Sequence, residues 1–348
     1  MDYLPENLPR AWIPRPHGFL VVERPPIPVR GDRALYLVRK TGLTSVQAGS
    51  LLMKALGASL FELQGLKDRH AVAYQYVTLR NPSRTPPHLT IGERLEAWLI
   101  RRNVQPLKPG LHGLNFFKIK LEFAPPRPNP PQIEPRPFLN YIGPQRFGVC
   151  KPDSHLQGLA LTQLSLEELA ILETSGCTIP PSKQYSPGNR ARRTPWAPGR
   201  NRSRLLAEAL QAYLFNRALA EAAEQGGGDP GWAAERLVRL PCPSGVTVKV
   251  PAGRLPGPWA DRGDTGWARL VAGIATREGI PLQALPGGER PPLRAFQALP
   301  CRLWYRDSED AMVLGFTLPR GVYATVYLRH IVRLDWEREC EFLAAGKL

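Results

Sequence analysis

Between residues 19 and 123 the apolar positions recur mostly at a spacing of two, interrupted once by a helical spacing. Residues 19–23 (FLVVE) and 34–38 (ALYLV) are short β-type runs bounded by Pro and Gly, the residues that punctuate strands. Thr44 opens a helix. Gln47 follows three positions later, as in a capping box, Val46, Leu51, Leu52, Ala55 and Leu56 supply the apolar residues, and Gly57 is the stop. Residues 71–79 (AVAYQYVTL), 94–100 (RLEAWLI) and 116–123 (FFKIKLEF) predict further strands. In the last, Phe117, Ile119, Leu121 and Phe123 share one face while Lys118, Lys120 and Glu122 share the other.

Beyond residue 123 the pattern changes. Residues 124–137 (APPRPNPPQIEPRP) read as a stiff extended connector, too poor in backbone donors to join a sheet. Residues 140–148 (NYIGPQRFG) form a turn-rich loop, and residues 182–204 a basic loop without an acid that carries Tyr185 and Trp196. Ser203 is placed to cap the amphipathic run LLAEALQAYLFNRALAEAAEQ, which stops at Gly226. From 231 to 300 the pattern is mixed and gives no assignable element. Residues 312–318 (MVLGFTL) turn strand-like again, and LPRGVYATVYLRHIV leads into a charged, helical tail. Strands at both ends with a helix-rich middle predict an α+β fold: a mixed, largely antiparallel sheet domain of residues 1–155 plus 311–348, with residues 156–310 inserted as a second domain.

Length supports two domains, since 348 residues exceed the usual size of one. No apolar run approaches the ~20 residues that span a bilayer, and MDYLPENLPRAW has no apolar leader core, so a soluble, cytoplasmic protein is expected. The five cysteines are odd in number and widely spaced, which argues against a disulfide framework and against a zinc site. A net charge of +16 points to a polyanionic partner, either nucleic acid or an anionic membrane surface; the plainer reading is a proteome that runs basic throughout. The 38 prolines and the Arg-rich basic complement suggest stiff loops of the heat-adapted kind and say nothing about function.

Candidate chemistry concentrates at LQGLKDRHAVAYQ, residues 63–75, where Asp68 stands between Lys67 and Arg69 in the connection that precedes a strand. Loops of this kind carry functional side chains on a fixed scaffold. Composition leaves two readings of Asp68 open: a solvated ion pair, or a carboxylate kept ionised for nucleophilic work.

The run GLKDRHA, with Gln75 on the next strand, resembles the signature of the TruD family of tRNA pseudouridine synthases. NYIGPQRFG at 140–148 and the pattern L-P-x-G-x-Y-A-T-x-x-L-R at 318–329 resemble two further blocks of that family, in the same order. Weaker similarity runs through GFLVVE, through Asn115 to Phe117, and through SRLLAEALQAYLFN, so the likeness covers nearly the whole chain. It implies a pseudouridine synthase sheet with an inserted α/β TRUD domain forming the other wall of an RNA cleft. It also implies an isomerase that converts uridine to pseudouridine without a metal or organic cofactor. The expected partner is RNA, most typically tRNA at uridine 13 of the D arm; no membrane partner is expected, and the chain is expected to be a monomer.

By the same resemblance Asp68 falls on the catalytic aspartate, with Lys67 and Arg69 either favouring its charged form or holding phosphates. Phe117 falls on the aromatic that stacks against the target base, although its period-two face also suits a core residue. Asn115 either bonds near Asp68 or the base or shapes the strand entry. Gln145 and Arg146 contact phosphate or ribose, or pin their own loop. Arg329 faces the cleft or makes a structural ion pair. Arg192 and Arg193, with their basic neighbours Arg190, Arg200, Arg202 and Arg204, grip RNA or form a solvated loop.

The chain also departs from the family pattern. Ile13 occupies the place of the basic residue expected to pair with the aspartate, His17 and Gly18 replace an E-D pair, Ala73 a common Thr, Leu114 a Gly, and His330 an acid. Arg15 and Arg10 are the nearest basic substitutes. The absent basic residue and the lost E-D pair motivate a second reading, a non-catalytic RNA-binding protein or RNA chaperone on a decayed synthase scaffold.

Overall fold

The structure, a computed structural model, describes residues 8–108, 113–123, 133–148, 153–163, 200–241, 247–287, 291–308 and 310–344. The chain forms two compact units: residues 1–138, 240–248 and 299–348 make the first, and residues 139–239 and 249–298 the second.

The first unit is built on an 11-stranded mixed sheet. Its N-terminal strands are β1 (Arg10–Trp12), β2 (Phe19–Arg24), β3 (Arg33–Lys40), β4 (Leu60–Leu63), β5 (Val72–Arg80), β6 (His88–Ile91), β7 (Leu95–Val104) and β8 (Leu114–Phe123). Cys301–Asp307, Ala311–Pro319 and Arg333–Leu334 join from the other end of the chain. The main path runs Cys301–Asp307, Ala311–Pro319, β8, β2, β5, β3, β7, β6. Pairing is antiparallel throughout this path except between β2 and β5, where Val21 lies opposite Ala73. C-terminal residues thus complete a sheet begun at the N-terminus, as the strand distribution in the sequence suggests.

Helix α1 (Ser45–Leu56) covers one face of this sheet. Thr44 closes a capping box with Gln47, Oγ1 accepting the Gln47 amide at 3.1 Å while Gln47 Oε1 accepts the Thr44 amide at 2.9 Å. The helix ends at Gly57, whose φ of 62° is a left-handed conformation that a residue without Cβ adopts at little cost. Ala48, Leu52 and Leu56 from the helix pack on Ala34, Tyr36, Val38, Val77, Leu79, Leu95 and Ala97 of the sheet. Each large apolar side chain buried in this way contributes about 1.5–3 kcal/mol.

The second unit has its own core. Helices α2 (Ser154–Gln163), α3 (Arg200–Gln225) and α4 (Gly266–Arg277) lie in it, with an antiparallel pairing of Ala252, Gly253 and Arg254 with Ala295, Arg294 and Leu293. Leu214, Phe215 and Leu219 of α3 pack against Trp267, Val271 and Ile274 of α4 and against Phe296, all buried.

Several elements differ from the sequence reading. The helix expected to start at Ser203 already runs at Arg200, so Ser203 lies within it and does not cap it. The unassigned stretch 231–300 contains α4, capped by Thr265. The short strands β4 and β6 and the edge strand Cys301–Asp307 went unpredicted because four-residue or highly polar runs lack a period that stands out. Cys340 is disulfide-bonded, against the expectation from cysteine spacing. The basic residues Arg190, Arg192 and Arg193, with Tyr185 and Trp196, lie outside the described residues. No helix of the described residues is long and apolar enough to cross a membrane.

Candidate active site

Alternation along three strands decides which polar side chains turn inward. In β2, Phe19, Val21 and Glu23 share the buried face; in β3, Ala34, Tyr36, Val38 and Lys40 do; in β8, Asn115, Phe117, Ile119, Leu121 and Phe123 do. Each buried face therefore carries one polar residue near a strand end: Glu23 is 2% exposed, Lys40 0% and Asn115 7%. A buried charge requires a partner, and the segment that supplies partners is the loop carrying Asp68.

Lys67 Nζ lies 2.7 Å from Glu23 Oε1, and Glu23 Oε2 accepts the Tyr76 amide at 3.0 Å. Lys40 Nζ donates to the Asp68 backbone carbonyl at 2.7 Å and to the Leu43 carbonyl at 2.8 Å. Ser45 Oγ accepts the Lys67 amide and donates to Gln75 Oε1, each at 2.7 Å. The loop is thereby tied to β2, to the end of β3, to the first turn of α1 and to β5, which fixes its backbone around Asp68.

The Asp68 carboxylate is part-exposed, its side chain 28% accessible. Oδ1 accepts the His70 amide at 3.0 Å, and Oδ2 lies 3.3 Å from Arg15 Nη1. Arg15 Nη1 also donates to the His70 carbonyl at 3.2 Å, and its guanidinium lies 4.1 Å from the centre of the Phe19 ring. Phe19 meets Phe117 edge to face at 6.0 Å, and Phe117 stacks on Phe316 at 5.5 Å. One guanidinium thus links the carboxylate to the aromatic cluster that contains Phe117.

The turn that presents Arg15 requires a residue without Cβ. The Gly18 amide donates to the Pro14 carbonyl at 2.6 Å, and a Cβ on Gly18 would stand 2.6 Å from that same oxygen. Ile13, two residues earlier, is 2% exposed and packs in the core, while Arg10 pairs with Asp335 and Glu337. Of the two basic residues nearest to Ile13, Arg15 is therefore the one that meets Asp68.

Burial sets the proton affinities around the loop. Desolvation outweighs the attraction of Asp68 and brings Lys40 down to about 8, with repulsion from Lys67 acting in the same direction. Burial likewise lowers the His70 imidazole below its ordinary value against the pull of Asp68.

The remaining expected residues are distributed as follows. Lys67 is committed to Glu23, and Arg69 Nε donates to the Gly42 carbonyl at 3.2 Å, so neither neighbour turns to the carboxylate. Asn115 stands opposite Glu23 in the β2–β8 register, its Oδ1 buried without a hydrogen-bond donor among the described residues. The Arg329 guanidinium lies 5.8 Å from the Trp336 ring. Gln145 and Arg146 belong to the second unit, where Arg146 Nη1 lies 2.8 Å from Glu208 Oε2. The same motif is clamped by Asn216, which exchanges hydrogen bonds with the Ile142 backbone, and by Arg294, which donates to the Asn140 and Tyr141 carbonyls.

Sequence reasoning missed Lys40, Glu23 and Ser45. The signal was present in the strands themselves, because Glu23 and Lys40 continue apolar faces at period two, where a charge is out of place unless it is held.

Comparison with known proteins agrees with this architecture. The family model described as tRNA pseudouridine synthase D (TruD) matches residues 14–178. The tRNA pseudouridine synthase D of Anaeromyxobacter sp. (strain Fw109-5) is 28% identical over 347 residues, covering 92% of each chain. That of Pseudomonas aeruginosa is 27% identical over 334 residues, covering 89% of this chain and 86% of the other. A crystal structure from Methanosarcina mazei, assigned to tRNA pseudouridine synthase D (TruD), superposes with a TM-score of 0.59 at 17% identity over 95% of both chains, which establishes the shared fold. In its three motifs and over most of its length the chain is similar to the tRNA pseudouridine synthases D, and it shares their fold.

Proposed function

We propose that this protein isomerises uridine to pseudouridine in tRNA, with uridine 13 of the D arm as the target and Asp68 as the catalytic carboxylate. The observation that carries this reading is the Arg15–Asp68 ion pair at 3.3 Å, which holds a part-exposed carboxylate in a loop braced from four sides. The guanidinium holds the carboxylate in place for either route, whether it adds to the uracil ring or acts at the ribose.

The reaction breaks the bond between ribose C1′ and uracil N1, turns the base and forms a bond from C1′ to C5. The C5 proton is lost, N1 gains one, and no oxidant or cofactor is consumed. The detached base needs a flat apolar surface, and Phe117, backed by Phe316 and Phe19, would provide it. At 7% exposure Phe117 also serves the core, so its two roles coincide at one end of the strand. Residues 1–155 with 311–348 would carry the chemistry, and residues 156–310 would add RNA contacts through the basic stretch with Arg192 and Arg193, beside those of Gln145 and Arg146.

The non-catalytic alternative rests on Ile13 standing where a basic residue is expected and on His17 and Gly18 replacing the E-D pair. Arg15, two positions further along, lies 3.3 Å from Asp68, which supports the catalytic reading over this one. The test is release of tritium from tRNA transcribed with C5-tritiated uridine, together with mass mapping of the product. The wild-type protein is expected to release label from one position, and Asp68→Asn to bind the same tRNA without release. Tight binding with no release by the wild type at any concentration would establish the chaperone reading instead.

A further inference from the structure

The face of the sheet opposite Phe117 is exposed at Lys118, Lys120, Trp304 and Arg306, and its composition there is not that of an ordinary solvated surface. Since side chains alternate, Phe116, Lys118 and Lys120 point away from the buried Phe117 and Ile119. Register extends this row to the edge: Lys118 pairs with Gly315 and Gly315 with Trp304, while Lys120 pairs with Val313 and Val313 with Arg306. Trp304 is 43% exposed, and Lys118, Lys120 and Arg306 are exposed as well. The Arg24 guanidinium lies 5.9 Å from the half-buried Phe116 ring on the same face.

Charged residues on an edge strand commonly do no more than discourage strand pairing between molecules. The seating of Trp304 goes further. A Cβ on Gly315 would fall 2.0 Å from Trp304 Cε2, so the indole lies directly on the glycine backbone. This position holds the ring against the sheet at low entropic cost and leaves part of its surface to solvent. Lys118, Lys120, Arg306 and Arg24 share this face with it, and the acid beside them, Glu122, is already held by Trp12 Nε1 at 2.9 Å and Lys120 Nζ at 2.7 Å. Lys118 and Arg306 have no ion-pair partner among the described residues. A seated aromatic ring among cations suits unpaired nucleic acid, in which a base stacks on the ring and flanking phosphates meet the cations.

The geometry points to a second RNA-contact surface on the reverse of the catalytic sheet, at which an unpaired RNA segment stacks a base on Trp304 and places its phosphates on Lys118, Lys120 and Arg306. This inference rests on the reading of the protein as one that acts on RNA, but it uses none of the residues assigned to the reaction. Charge complementarity selects RNA over a protein partner here, because the patch offers cations around one exposed ring rather than a continuous apolar area.

The test uses the full chain in the Asp68→Asn background, so that binding is measured without turnover, with a fluorescent oligouridine and unmodified tRNA as probes. Trp304→Ala is expected to weaken oligouridine binding about tenfold, the lower range for loss of one stacked base, and Trp304→Phe to recover most of it. Lys118→Ala with Lys120→Ala is expected to flatten the dependence of log affinity on log salt by about 1.4, the value for two lost phosphate contacts on a single strand. Ultraviolet cross-linking should recover the peptide containing Trp304. Unchanged affinity and salt slope in natively folded variants would overturn the inference, as would equal weakening of heparin and oligouridine binding with no effect of Trp304→Ala. The two readings fail separately: absence of pseudouridine from the wild-type reaction defeats the proposed activity, whereas Trp304-independent binding defeats only this surface.

Discussion

Arg15 grips the Asp68 loop twice with one nitrogen: Nη1 stands 3.3 Å from the carboxylate and 3.2 Å from the carbonyl of His70. Its side chain is 4% exposed, and that of Asp68 28%, so the pair is neither a surface ion pair nor a fully sealed one. Arg15→Ala removes the charge and the carbonyl contact together. It should lower turnover by about 100-fold, since losing one preorganised charge contact at a reaction centre costs roughly 3 kcal/mol. Arg15→Lys keeps the charge without the planar fork and should retain an intermediate rate. Single-turnover kinetics on tRNA checks both, and wild-type rates in Arg15→Ala would remove the guanidinium from the mechanism.

The Glu23–Lys67 pair lies deeper, with side chains 1% and 7% exposed. Lys67→Met leaves the buried Glu23 without its lysine, which should destabilise the protein by about 3–5 kcal/mol. Adding Glu23→Gln removes that charge while keeping an acceptor for the Tyr76 amide, and should restore part of the loss. Urea titrations of the two single variants and the double variant measure the coupling. Strict additivity would mean that the two side chains do not depend on one another.

Lys40 predicts a linkage that runs against the habit of lysines. Burial brings it from 10.5 to about 8, with Asp68 opposing and Lys67 assisting. Between those values the unfolded chain holds a proton that the folded chain has shed, so stability rises with pH. The contribution is fully present above the unfolded value and is lost as pH falls through the folded one. The wild type should therefore gain about 2–4 kcal/mol relative to Lys40→Met as the pH is raised from about 7 to about 10.5, at 1.36 kcal/mol per pH unit. Denaturation at several pH values, expressed as the difference between the two proteins, cancels the groups they share. A flat difference would place Lys40 in contact with solvent.

Phe117 separates packing from chemistry. Phe117→Ala opens a hole between Phe19 and Phe316 and should cost about 3–5 kcal/mol of stability. Phe117→Leu conserves most of the volume and should cost less than about 1.5 kcal/mol, yet it loses the ring face. If the ring supports the base, Phe117→Leu stays folded by thermal melting while product formation falls at least tenfold.

Much of this protein was determined by local sequence. Alternation placed β2, β3, β5, β7 and β8 to within a few residues, because a half-buried strand imposes a period of two, and Thr44, Gln47 and Gly57 delimit α1 because a helix end must satisfy its own backbone groups. Asp68 stood out within its motif. Tertiary structure decided the partners. Lys67 and Arg69 flank Asp68 in the chain, yet the loop turns them to Glu23 and to the Gly42 carbonyl, while Arg15, 53 residues away, meets the carboxylate. Lys40 and Glu23 became legible only once a sheet gave their strands an inside. The direction of a loop side chain depends on what packs around the loop, and strands brought together from both ends of the chain set those surroundings here.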